Sequence, residues 1–338
     1  MQRLIVDKCP VNAHAGQAAY SEVVDHYFGS PGTWTYLRDQ DTGHLWMSPR
    51  PADFEIPGLY GQYYTHGEAP DASGTPVHRA YELILHRQLG YPLDRQPGFA
   101  VRLLAKVPTM GAAAVMEALK VSARTTGRLL DFGCGDGNFM SRMRRVGWQV
   151  SGMDPDPKAA ESLRARLGLD VRPSLEDFAD RVGEFDLITV SHVIEHLADP
   201  VGTLQGLRRF LAPGGRLIVV TPNANSLGAR WFGKFWRGLE PPRHFNVFTP
   251  KSLRYALGQA GYQVEELTTE TRMARRLFWV SALAKRGVRE IELTPRSERF
   301  TKWGGYGFQL VEAFCNALGA EMGEEIYCLA GSGAGVAE

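Results

Sequence analysis

From Gly127 onward, short runs of consecutive Leu, Val, Ile and Phe alternate with stretches in which apolar residues recur every three to four positions. Such runs, bounded by glycine or aspartate, mark buried strands, and the longer recurrence marks amphipathic helices. The strands predicted this way are Arg128–Phe132, Gln149–Asp154, Phe185–Val190 and Arg216–Val220, followed by Tyr262–Leu267 and Glu325–Leu329. Strand-helix alternation folds as an α/β sheet with helices on both faces. Upstream, helical spacing predicts helices over Val77–Gly90 and Met110–Ala123, with Pro92, Pro97 and Pro108 between them. Glycine, proline and aromatic residues crowd the first 75 positions, as in Ser30-Pro31-Gly32-Thr33-Trp34 and Ser48-Pro49-Arg50-Pro51, and predict short strands and turns. The expected organisation is a small α+β N-terminal cap over 1–76, a helical bridge over 77–126 and a sheet-based core over 127–338.

Composition narrows the class. A chain of 338 residues, 44% of them hydrophobic, has material for about two domains and a buried core. Its 38 Lys+Arg against 37 Asp+Glu leave +1, so there is no global footprint for nucleic acid or an acidic membrane, and any basic site is local. No apolar run approaches the roughly 18 residues of a membrane span, and Met1–Lys8 lacks a signal peptide's apolar stretch, so a cytoplasmic protein is expected. Cys9, Cys134, Cys315 and Cys328 are far apart and form no C-x-x-C pair, which points to reduced thiols.

The most informative segment follows the first core strand. Leu129-Leu130-Asp131-Phe132 runs into Gly133-Cys134-Gly135-Asp136-Gly137, and Asn138 to Arg142 begins a helix. Glycines let the backbone approach a ligand closely, and a helix N-terminus offers free N–H groups. A dinucleotide fingerprint would need its third glycine at position 138, where Asn138 stands; the pattern here is G-x-G-x-G. Asp154 ends the second strand, where a carboxylate can accept hydrogen bonds from both hydroxyls of a ribose. The combination describes a nucleoside site.

These motifs, with Gly152-Met153-Asp154, Phe185-Asp186-Leu187-Ile188, Glu195-His196 and Leu211-Ala212-Pro213-Gly214-Gly215, resemble the ordered motifs of class I S-adenosylmethionine-dependent methyltransferases. The resemblance implies a Rossmann-like, seven-stranded mixed sheet whose last strand, near Glu325–Leu329, is antiparallel. It implies S-adenosylmethionine as cofactor, with Gly133, Cys134, Gly135 and Gly137 under the methionine part and Asp131 near its amino group. Asp154 then holds the ribose, Ser174, Leu175 and Glu176 lie beside the adenine, and Ser191 completes the set. The rival reading is a Rossmann-like domain for another nucleotide.

A finer resemblance is to a subgroup with a zinc-ribbon-like N-terminal module and a Pro-Pro-Arg-His loop, here Pro241-Pro242-Arg243-His244. Where such modules have paired cysteine knuckles, this chain has Cys9-Pro10-Val11-Asn12 and Asp39-Gln40-Asp41-Thr42. One thiolate cannot hold tetrahedral zinc, so a metal-free remnant is expected.

Methyl transfer needs alignment, exclusion of water and, for a hydroxyl acceptor, a base. His192 and His244 both qualify by position; His244 is favoured, with Arg243 to hold an acceptor's negative charge. His192-Val193-Ile194-Glu195-His196 is similar to the E-x-x-E-H segment of ubiquinone-pathway O-methyltransferases, which can hold a divalent cation. With His192 in place of the first Glu, a hard oxygen ligand is gone, and a metal-free site with Glu195 and His196 orienting the next helix is expected. Arg230, Trp236 and Arg237 in the basic, aromatic segment 223–249, with Tyr60, Tyr63 and Tyr64 upstream, are candidates for the acceptor pocket. The basic stretch around Leu277-Phe278-Trp279-Val280 is expected to pack as a helix with snorkelling arginines in preference to resting on a membrane. The reading is a methyltransferase acting on oxygen of a small secondary-metabolite, sugar or polyketide-like acceptor, without nucleic-acid partners. Transfer to carbon or nitrogen, and a silent cofactor-binding scaffold, are the alternatives; the oligomeric state is left open.

Overall fold

The computed structural model describes residues 1–60, 75–288 and 295–333. The first strands are β1 (Arg3–Leu4), β2 (Gln17–Val23), β3 (Trp34–Arg38), β4 (Leu45–Met47) and β5 (Arg50–Pro51), and the helices α1 (Pro76–Leu89), α2 (Phe99–Leu104) and α3 (Pro108–Glu117) follow. Then come β6 (Arg128–Phe132), α4 (Asn138–Arg145), β7 (Gln149–Met153), α5 (Pro157–Leu167), β8 (Asp170–Arg172), β9 (Phe185–Ser191), α6 (Pro200–Arg208) and β10 (Leu211–Pro222). The chain ends with α7 (Leu227–Phe232), β11 (Asn246–Val247), α8 (Pro250–Gln259), β12 (Tyr262–Glu270), α9 (Ala274–Lys285), α10 (Pro295–Ala317) and β13 (Glu325–Ser332). Seven strands share one sheet in the order β12-β13-β10-β9-β6-β7-β8. β6, β7 and β8 pair in parallel and β12 pairs with β13 antiparallel, which is the Rossmann-like mixed sheet that the sequence predicts.

Two compact units are present. One comprises Met1–Tyr63, Val190–Arg209 and Val219–Glu338; the other comprises Tyr64–Thr189 and Phe210–Ile218. In the second, Cys134, Met140, Leu163, Leu169 and Val171 pack together between the glycine loop, α4, α5 and β8. Thr75 starts α1 by accepting a hydrogen bond from the His78 amide, and Gly90 ends it in the left-handed region, as the spacing there predicts.

In the first unit, β1 and β5 pair with each other, but the sheet of β2, β3 and β4 is not built from N-terminal residues alone. β11 supplies its fourth strand, in the order β11-β4-β3-β2, with Asn246 opposite Trp46. Trp34, Tyr36, Leu45 and Met47 consequently share a core with Phe232, Trp236, Leu239 and Val247. The Tyr36 hydroxyl lies 2.5 Å from the Leu239 carbonyl and 2.9 Å from that of His244. Arg243 is 1% exposed, and its guanidinium donates to Asp25 and Glu240, at 3.0 Å each, over the ring of Phe28. Asp25 accepts in turn from the amides of Tyr27, Phe28 and Ser30, so one carboxylate closes a loop and neutralises an arginine.

The two loops expected to be knuckles meet through hydrogen bonds. Asp39, almost fully buried, accepts from the Thr42 hydroxyl (2.5 Å), the Thr42 amide (2.8 Å) and the Asn12 side chain (2.9 Å). Burial opposes its charge, but the bonds from Thr42 and Asn12 outweigh that and lower its pKa. His14 lies beside it, with Nδ1 3.5 Å from Asp39 and 3.0 Å from Asp41.

Two substitutions test these contacts. Asp39→Ala should lower stability by roughly 1–3 kcal/mol in denaturant unfolding. Elemental analysis should find no stoichiometric zinc in either protein. Asp25→Ala, which strands the Arg243 charge, should cost about 3–5 kcal/mol; a loss under 1 kcal/mol would mean that the network does little for the fold.

Candidate active site

The glycine loop hangs from the end of β7, because the amides of Gly133 and Cys134 both donate to the Met153 carbonyl, at 2.8 and 3.0 Å. Gly137 stands before α4 at φ 74°, in the region that favours glycine, and a Cβ there would press on the end of the Leu163 side chain at 2.6 Å. Gly152 has a different reason: a Cβ would meet Cys134 Sγ at 2.8 Å and Met140 Sδ at 2.7 Å. Cys134 therefore faces the core, where burial pushes its thiol well up, and packing is its evident task. Asp154 accepts from the Gly135 amide at 2.9 Å through Oδ2 and from the Asp156 amide at 3.0 Å through Oδ1. Ser174 bonds Asp177 at 2.8 Å, next to half-buried Leu175 and exposed Glu176, where a short 3-10 turn begins after β8.

Asp131 is the electrostatic centre of this unit. It is buried and receives a 2.7 Å hydrogen bond from Thr189, a partner that the sequence did not single out. Burial pushes its pKa up to about 7, against the lowering by Thr189, and the nearby Asp154 adds to the rise. A carboxyl held this way gains most when a cation, such as an ammonium group, is brought to it.

In the other unit a second polar cluster follows β9. His192, at φ 55°, places Nε2 2.8 Å from Glu325 and Nδ1 3.4 Å from Glu195. Arg272 donates to both oxygens of Glu325, at 2.9 and 3.2 Å. Burial alone would lower the His192 pKa, but the two carboxylates outweigh it and hold it at about 9, while Glu195 and Glu325 are held down at about 2. At neutral pH His192 is an imidazolium between two carboxylates. That corrects its standing as a candidate base, since it carries the proton already.

His244 differs in every respect. It is buried, its Nδ1 lies 2.8 Å from the Gly238 carbonyl and so carries the hydrogen, and Nε2 lies 3.6 Å from Glu240. Burial lowers its pKa to about 4, against the pull of Glu240, which leaves it neutral. The His196 ring meets it edge to face at 4.7 Å, and His196 Nδ1 lies 3.0 Å from the Arg243 carbonyl. The Arg243 side chain is committed to Asp25 and Glu240, which corrects the expectation that it holds an acceptor's charge. Trp236 likewise is core: it is 2% exposed and donates to Glu324 at 2.8 Å. Arg237 pairs with Glu240 and covers the Tyr27 ring, whereas Arg230 is exposed and Ser191 half-buried at the end of β9. Tyr63, Tyr64 and the Tyr60 side chain lie outside the described residues.

Ligand atoms of Glu195, His196 and His244 all lie within 4.8 Å of one another. One carboxylate and two imidazoles do not suit Mg²⁺, which takes six oxygens, and the His192 imidazolium puts a positive charge against the same Glu195. The group does not fit a hard divalent cation.

The Asp131 carboxyl makes stability depend on pH with a definite sign. Its folded pKa of about 7 lies above the unfolded value, so the penalty of ionising it is absent below about pH 4 and complete above about pH 7. Relative to Asp131→Asn, the wild-type protein should therefore lose thermal stability as pH rises across that window; parallel melting curves at every pH would contradict this.

Comparison with known proteins adds the following. A methyltransferase-domain family model matches residues 103–267. The ubiquinone biosynthesis O-methyltransferase of Thiobacillus denitrificans is 34% identical over 159 residues, covering 43% of this chain and 68% of that protein. The enzyme of that name from Xanthomonas axonopodis pv. citri is 31% identical over 156 residues, covering 42% of this chain and 64% of its own length. Thus the chain spans just under two thirds of the Xanthomonas relative. A solved S-adenosylmethionine-dependent methyltransferase from Archaeoglobus fulgidus is 17% identical, covers 68% of this chain and 99% of its own, and has a TM-score of 0.42. The Thiobacillus match, joined to the family model, the mixed seven-stranded sheet, the G-x-G-x-G loop and the acidic residues near the end of β6 and following β7, establishes that the chain belongs to the class I S-adenosylmethionine-dependent methyltransferases.

Proposed function

We propose that this protein methylates an oxygen atom of a small hydroxylated acceptor, using S-adenosylmethionine, with His244 as the base. The observation that carries the cofactor half is Asp131: a buried carboxyl of raised pKa beside the glycine loop, suited to the ammonium of the cofactor's methionine part. Asp154, held at the end of the loop by the Gly135 amide, suits its ribose. Bound there, the cofactor supplies a methyl group activated by a sulfonium. The chain's own task is to align the acceptor, exclude water and take one proton.

His244 suits that task because it is neutral at physiological pH and its tautomer is set by Gly238, which leaves the lone pair on Nε2. In the transfer, Nε2 of His244 would take the proton of the acceptor hydroxyl. The Glu240 and Glu195 carboxylates favour the imidazolium that results. Transfer to oxygen is supported by the naming of the relatives as O-methyltransferases; their acceptor is not carried over, because the likeness covers less than half of this chain.

Calorimetric titration with S-adenosylmethionine tests the first half, and absence of binding would sink the proposal. An acceptor found by screening with methyl-labelled cofactor then allows His244→Gln to be assayed. Turnover should fall by about 10²-fold or more with cofactor affinity within a factor of about two; undiminished turnover would remove His244 from the mechanism.

A further inference from the structure

The helix between β12 and β13 turns an apolar face outward. Tyr306, Leu310, Val311, Phe314 and Leu318 are between 48% and 71% exposed, and from Gly304 to Ala320 the one charged residue, Glu312, points inward. Scattered exposed leucines are ordinary, but a continuous apolar face of this length marks an interaction surface.

Its spacing says what kind. Gly307, Val311, Phe314 and Leu318 are separated by four, three and four residues, which is the seam of a helix that packs along another helix. Gly307 is the telling member. Glycine weakens a helix interior, and a Cβ at 307 would meet nothing within 4 Å, so the chain's own packing does not require it. Its place on the seam is explained by something close from outside.

We propose that α10 pairs antiparallel with α10 of a second copy of this chain. A two-fold axis between Val311 and Phe314 sets each of these against the other in the second copy, and sets Gly307 against the large Leu318. Charge agrees with that direction: Arg275, stacked on Tyr306, lies at one end of the seam, and exposed Glu321 lies just beyond the other. Antiparallel packing brings each basic end to an acidic end, whereas a lipid surface would call for basic residues along the whole face. The five side chains offer about 500 Å² per copy, so a pair buries about 1,000 Å², the lower bound of a specific interface.

Sedimentation velocity on the full chain should show a concentration-dependent shift from the mass of one chain to that of two. Phe314→Glu should weaken association by about 100-fold or more. Gly307→Leu should do so by at least about tenfold while leaving the circular dichroism unchanged, because a Cβ at 307 has nothing within 4 Å in its own chain and the added side chain meets Leu318 of the second copy. A wild-type protein that stays monomeric throughout, or a Gly307→Leu variant that dimerises as the wild type does, overturns the proposal. Co-sedimentation with phosphatidylserine vesicles that Gly307→Leu strengthens and Phe314→Glu abolishes would give the face to a lipid surface and overturn it too.

Discussion

Arg243 enters the interior with its charge intact, and much of the first unit is arranged to make that tolerable. A guanidinium cannot shed its proton, so each of its buried donors needs an acceptor. Asp25 and Glu240 provide them, from segments more than 200 residues apart, and both carboxylates have further duties. Asp25 ties a loop of the N-terminal sheet through three amides, and Glu240 pairs with Arg237 as well. The backbone around the arginine is then fixed closely enough for its carbonyl to orient His196 and for that of Gly238 to orient His244. Both histidines are oriented by backbone that this salt-bridge network holds in place.

Asp131 presents the opposite situation. Its one neutral partner, Thr189, does not make up for the loss of water, and no cation accompanies it among the described hydrogen bonds and ion pairs. Arg243 is paired with carboxylates of its own unit, whereas Asp131 keeps a carboxyl whose best partner comes from solution.

The sheet was legible because its buried strands leave short apolar runs bounded by glycine or aspartate: Arg128–Phe132 and Phe185–Ser191 lie where the pattern put them, within a residue. The glycine loop was legible for a steric reason, since Gly137 and Gly152 stand where a Cβ has no room. The basic, aromatic segment 223–249 offers candidates for an acceptor pocket by composition, but most of it after Phe235 is interior. Composition records that Trp236 and Arg243 are aromatic and basic; it does not record that Glu324 and Asp25, distant in sequence, are waiting for them. Likewise the exchange of a carboxylate for His192 was visible, but its protonation depends on Glu325, which is 133 positions away. Helix α10 escaped the periodicity because it is apolar on two faces, one inward at Phe308 and one outward at Phe314.

The pairing of Asn246 with Trp46 also sets a schedule. Two hundred residues separate the partners, so β4 leaves the ribosome long before the strand that covers its edge has been made. At ordinary rates of translation that interval is roughly 10–40 s. For that time a three-stranded sheet carrying Trp34, Tyr36 and Met47 has an open edge and an uncovered face. The nascent chain is most vulnerable to aggregation then, and a chaperone that binds apolar strands would find its target in the first 50 residues.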